Sequence, residues 1–199
     1  LNARALFALG AMGLAVAGCT VAPSRMDLDV AAPRWELATI DGDTLRSDSL
    51  AGKVVVYAWI DPTCAEVQTA ADGGALRILE KRWMGDDRVT ILYVASMAAG
   101  GGDWLAPADW KPWIKEMRLR APVLLDSSQT LARAWSVRRI PSAGIVDARG
   151  KVRWSGPVDA LDSIGEPALS TAVGEALEGR NAWVPMLDPE GNCAVRYRK

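Results

Sequence analysis

Residues 53–60 read Lys-Val-Val-Val-Tyr-Ala-Trp-Ile, an almost unbroken run of β-branched and aromatic side chains. A strand with one wet face alternates apolar and polar residues. A run without alternation suits a strand covered on both faces, as in parallel sheets flanked by helices. This segment predicts an α/β fold built around one central strand. Asp61-Pro62-Thr63 breaks the run, and Cys64 follows at once. A helical stretch is expected from about Cys64 to Trp83, with Leu76, Leu79 and Trp83 on one face of its second half; Gly73-Gly74 weakens its middle, where a loop is the alternative.

The remaining elements follow from the same signals. Trp35–Ile40 with the turn Asp41-Gly42-Asp43 predicts an edge hairpin, and Val89–Ala95 a second buried strand. Pro107 is a suitable first-turn residue for a helix reaching Leu119. Pro122–Leu125 is short and apolar, and Asp126-Ser127-Ser128 can cap a helix over Gln129–Trp135. Ala143–Val146 and Val152–Ser155 flank Asp147-Ala148-Arg149-Gly150, a hairpin signal. Pro167–Leu177 predicts a last helix stopped at Gly179, and the tail from Ala182 to Lys199 has little periodicity. The order predicts parallel strands joined by helices first and an antiparallel hairpin last.

The chain has 199 residues, half of them hydrophobic, enough for one domain with a sizeable core. A formal net charge of −1 offers no basic field for nucleic acid. The absence of histidine excludes Ser-His and Cys-His dyads and removes the commonest metal ligand. The three cysteines, Cys19, Cys64 and Cys193, form neither a C-x-x-C nor a zinc-finger spacing, so neither metal nor cofactor is expected. The nine tryptophans are scattered and are expected to pack in the core; those between Trp104 and Trp113 could equally form a binding surface.

Residues 1–18 carry one positive charge, Arg4, before an apolar run that is short for a membrane span and has the size of a signal-peptide core. Val16-Ala17-Gly18-Cys19 then resembles the lipobox of bacterial lipoproteins. That resemblance implies cleavage after Gly18, lipidation of Cys19 and a tether over 19–32; the pattern of elements beyond it marks a domain over 33–180 and a tail over 181–199. It implies anchoring in the periplasm, and Thr20 in place of an aspartate implies the outer membrane. Two or more lipid chains suffice for stable anchoring.

Several motifs in order carry a wider resemblance. Ala32-Pro33, Asp41-Gly42 and Leu50-Ala51-Gly52-Lys53 stand before the central strand. Arg139-Ile140-Pro141-Ser142 and Asp147-Ala148-Arg149-Gly150-Lys151 stand near the end of the domain. Over roughly Ala32–Gly156 the chain resembles the thioredoxin-like superfamily, in its redoxin (AhpC/TSA-like) branch. The resemblance implies a mixed central sheet flanked by helices, a cis bond before Pro141 and a substrate site at Ile140 and Pro141. It places Cys64 at the nucleophile position, eleven residues after Lys53, and puts Val67 where the family has its second cysteine. Gly191-Asn192-Cys193 resembles the ending of a subgroup that carries a further cysteine in its tail.

A cysteine at a helix N-terminus tends toward the thiolate, whereas the nearby Asp61 and Glu66 would raise its pKa if they lay close. An inert, buried Cys64 is the plain alternative. Cycling would need a second thiol. Cys193 is the internal candidate, as a structural or a resolving partner, and the tail offers no other strong reason to dock. The expectation is a membrane-anchored periplasmic thiol–disulfide oxidoreductase acting on a protein thiol or disulfide partner. A non-catalytic binding or scaffold lipoprotein stands second. A thiol peroxidase stands third, because Asp61 replaces the Thr or Ser expected three residues before its cysteine. Copper delivery is excluded by the lack of paired cysteines and histidine.

Overall fold

The computed structural model describes residues 27–101, 104–182 and 193–198. The leader, Cys19 and most of the tether therefore lie outside the described residues.

A short hairpin, β1 (Glu36–Ala38) and β2 (Thr44–Arg46), opens the domain, and Gly42 takes φ +96° in its turn. A 3-10 turn over Ser47–Leu50 leads to β3 (Val54–Trp59), every residue of which is buried. The helical stretch is two helices, α1 (Ala65–Ala71) and α2 (Ala75–Trp83), divided at the glycine pair where a loop is the alternative. They part at Gly73, which has φ +82°, and at Gly74, where an added Cβ would meet the Thr69 carbonyl oxygen at 2.6 Å. Only glycine permits so close a turn.

Next come β4 (Val89–Ala95), α3 (Pro107–Glu116), β5 (Val123–Leu125) and α4 (Thr130–Ala134). Asp126 caps α4 as expected, its buried carboxylate accepting the backbone N–H groups of Leu131 and Ala132 at 3.2 and 2.9 Å. Then follow β6 (Arg139–Ile140), β7 (Ser142–Val146), β8 (Val152–Pro157), α5 (Ala168–Leu177) and β9 (Cys193–Ala194).

The main sheet has the order β5-β4-β3-β7-β8, with β3 at its centre. β3 runs parallel to β4 and antiparallel to β7, so the sheet is mixed and flanked by helices. The uninterrupted apolar run of β3 is what a strand paired on both sides and covered above and below requires. α2 packs on α5 through Trp83, whose indole N–H donates to the Ser170 carbonyl and hydroxyl, both at 3.1 Å. Trp135, just after α4, packs against Tyr57 and Trp59 with ring centroids 5.5 and 5.6 Å away. Gly144, paired with Tyr57, makes room for it: an added Cβ would lie 2.6 Å from Trp135 Cε3. Trp110 of α3 is fully buried, and Trp104 and Trp113 are half-buried against the core, so this stretch packs on the domain.

A buried ion pair fastens the ends of the domain. Arg153 Nε donates to Asp147 Oδ2 at 2.7 Å, and its Nη1 meets Asp29 and Asn181. Burial opposes ionisation of Asp147, but hydrogen bonds from the Lys151 backbone, the Arg153 side chain and the Arg149 backbone outweigh it and hold the carboxyl below its ordinary value.

Candidate active site

The site lies at the end of β3. Asp61-Pro62-Thr63-Cys64 makes a tight turn closed by the Cys64 N–H on the Asp61 carbonyl at 3.1 Å. Asp61 Oδ1 accepts the Thr63 N–H and hydroxyl at 2.8 and 2.7 Å, which holds this carboxylate in its own turn. Cys64 is the N-cap residue of α1, where its carbonyl takes the first helical bond, from Gln68 N at 3.1 Å. The strand's breaker, not its apolar run, thus sets the Cys64 sulfur at the C-terminal end of the central strand.

Cys64 forms a disulfide with Cys193, 129 residues away, with the two Cα atoms 6.0 Å apart. Cys64 is 1% exposed and Cys193 is half-buried. The peptide bond Ile140–Pro141 is cis, and the Ile140 carbonyl oxygen lies 3.7 Å from Cys64 Sγ. The structure therefore gathers the four residues expected at the site: Cys64, Cys193, Ile140 and Pro141. Of the two carboxylates expected nearby, Glu66 is the one at the sulfurs. Its Oε2 is 3.2 Å from Cys64 Sγ and 3.4 Å from Cys193 Sγ. Cys64, Glu66 and Cys193 are close enough together to hold a metal, but with both sulfurs joined to each other no thiolate is available to a soft ion.

The tail is held by more than the bond. β9 pairs antiparallel with β6, setting Cys193 opposite Ile140. Val195 N–H donates to the Arg138 carbonyl at 2.8 Å. The buried Gln129 side chain donates to the Arg196 carbonyl and accepts the Arg198 N–H, both at 2.8 Å. The Tyr197 hydroxyl donates to the Val137 carbonyl, and the Arg133 guanidinium sits 4.4 Å from the Tyr197 ring centre. Burial pushes the Tyr197 phenol up to about 12. No periodicity in the tail signals this docking; its main polar anchor, Gln129, stands in a left-handed conformation with φ +58°. A cleft of about 600 Å³ opens beside the disulfide, walled by Trp59, Met97, Trp104, Ile140, Cys193 and Tyr197.

Residues 28–155 match the family described as the AhpC/TSA family. No curated protein matches the chain. Among solved structures, a hypothetical protein from Sinorhizobium meliloti 1021 is 19% identical, with TM-score 0.72 over 87% of this chain and 96% of that one. The thioredoxin domain of a thiol-disulfide oxidoreductase from Bacteroides vulgatus is 18% identical, with TM-score 0.58 over 75% and 97% of the two chains. An exposed lipoprotein thioredoxin from Streptococcus pneumoniae strain TIGR4 is 27% identical, with TM-score 0.55 over 72% and 99%. The fold is thioredoxin-like.

Proposed function

The chain belongs to the AhpC/TSA family, and we propose that it is a thiol–disulfide oxidoreductase working outside the cytoplasm, with Cys64 and Cys193 as its redox pair. The observation that carries this reading is the Cys64–Cys193 bond beside the carbonyl of the cis Ile140–Pro141 peptide. In the reduced protein the Cys64 thiolate attacks a partner's disulfide, and one partner sulfur leaves with the electron pair. Cys193 Sγ then attacks Cys64 Sγ, forming the internal bond and releasing the second partner sulfur. Two electrons and two protons pass from this protein to the partner, and a protein dithiol reverses the cycle. The Ile140 carbonyl and the cleft beside Cys193 offer the partner chain a place to sit. The tail contacts keep Cys193 within reach of Cys64 when the bond is open.

Lipidation of Cys19 would fix the domain to a membrane; the likeness to an exposed lipoprotein thioredoxin supports an extracytoplasmic place. Among the described residues no helix is long and apolar enough to cross a membrane. Replacing Cys19 with Ala should release the protein from membranes.

The test of the activity is turnover of insulin disulfides by wild type, Cys64→Ser and Cys193→Ser. Turnover abolished by Cys64→Ser, with Cys193→Ser arrested as a mixed disulfide, is expected. No turnover by any form would favour a binding or scaffold role.

A further inference from the structure

Glu66 touches both sulfurs with one oxygen, Oε2, at 3.2 Å from Cys64 and 3.4 Å from Cys193. A disulfide has no proton to give, so in the oxidised protein these contacts are not hydrogen bonds. In the dithiol the same oxygen can accept from either thiol. The side chain is half-buried and stands on the first turn of α1, so the backbone that positions Cys64 also positions Glu66. The other titratable and charged groups on the surrounding elements include Asp61 on the preceding turn, Arg138 and Arg139 at β6, and Arg196, Tyr197 and Arg198 in the tail. Asp61 is engaged by Thr63.

We propose that Glu66 is a catalytic residue of the exchange proposed above, on which this inference rests, and that it carries the proton of Cys193. When the Cys193 sulfur attacks the Cys64–partner disulfide, the Cys64–Cys193 bond forms and the Cys64–partner bond breaks. The partner sulfur leaves with the electron pair, and the Cys193 proton passes to the Glu66 carboxylate. Glu66 then returns that proton to the departing thiolate or to water. In reverse, a thiolate of the reducing partner attacks Cys64 Sγ, Cys193 leaves, and protonated Glu66 neutralises it. A carboxylate beside a thiol also has an opposite, purely electrostatic effect. It disfavours the thiolate and so slows attack. The sign of the change on removing the charge separates the two.

The experiment uses the full chain with Cys19→Ala, reduced and then mixed rapidly with one equivalent of the aromatic disulfide of thionitrobenzoate. A first equivalent of thionitrobenzoate reports the mixed disulfide and a second reports closure of Cys64–Cys193. Glu66→Gln should still release both equivalents, with the second phase slowed roughly 100-fold near neutral pH. The deficit should fade as pH rises past about 8.5, where a thiol ionises unaided. Glu66→Asp should recover part of the rate. A second phase in Glu66→Gln that is unchanged or faster near neutral pH overturns the proposal. The wild-type profile is an independent reading: the second phase should fall by much less than tenfold per pH unit below the thiol range, and a full tenfold fall per unit refutes proton transfer to Glu66. Release of a single equivalent by wild type would instead refute the redox pair itself.

Discussion

Breaking the Cys64–Cys193 bond should cost the fold a calculable amount. The bond closes a loop across 129 residues. Chain-entropy reasoning gives about −17 cal/mol/K for cross-linking the unfolded chain over that length, or about 5 kcal/mol at 25 °C. For a domain of this size each kcal/mol moves the thermal midpoint by about 2–4 °C, so reduction should lower it by about 10–20 °C. The thermodynamic cycle works in both directions. The fold stabilises the bond by the same amount, which makes the pair about 110 mV more reducing in the native protein than in the unfolded chain. The assay is thermal and urea unfolding of the Cys19→Ala protein, oxidised and reduced, beside Cys193→Ser. Cys193→Ser should unfold with the reduced form. Equal midpoints for oxidised and reduced protein would refute the loop-closure reasoning, because the bond would then not stabilise the fold by restricting the unfolded chain.

Other perturbations have distinct signatures. Gly144→Ala should destabilise by about 2–3 kcal/mol, since the added Cβ collides with the Trp135 ring that rests on Tyr57 and Trp59; urea unfolding reads it. Gln129→Asn keeps a residue suited to the left-handed backbone but withdraws two hydrogen bonds from the tail, together about 2 kcal/mol. The oxidised and the reduced protein should each lose about that amount, read by urea unfolding. Asp147 is held ionised below the ordinary carboxylate range in the folded state. Its stabilisation is complete above the unfolded value of about 3.9 and is lost as pH falls through the lower folded value. Arg153→Ala should cost about 3 kcal/mol and move the acid transition to higher pH, followed by circular dichroism.

Fold and site differed in how far the sequence revealed them. The central strand and its breaker were legible because burial on both faces leaves an unbroken apolar run, and Pro62 stops it. The hairpins were legible because Gly42 and Gly150 adopt positive φ angles at their turns. The break in the first helical stretch was legible as an alternative, because Gly73-Gly74 weakens the pattern, and the tight approach at Gly74 is what makes it a true break. Pairing of Cys64 with Cys193 was open to two roles, since a spacing of 129 residues carries no geometry. Docking of the tail left no pattern, because Gln129, Arg133 and Val137 hold it through polar and aromatic contacts without periodicity. Local distance also misled over the carboxylates. Asp61 and Glu66 lie three and two residues from Cys64, yet a turn folds one onto Thr63 and the helix aims the other at the sulfurs.

The central claim is that Cys64 and Cys193 open and close within a folded protein. Equilibration across a series of glutathione ratios, followed by alkylation, peptide mapping of both thiols and circular dichroism on the same samples, tests it most directly. The account predicts that Cys64 and Cys193 become alkylated together as one two-electron couple while the α/β spectrum persists. A bond that resists every ratio until the fold itself is lost would contradict it and make the pair a structural staple.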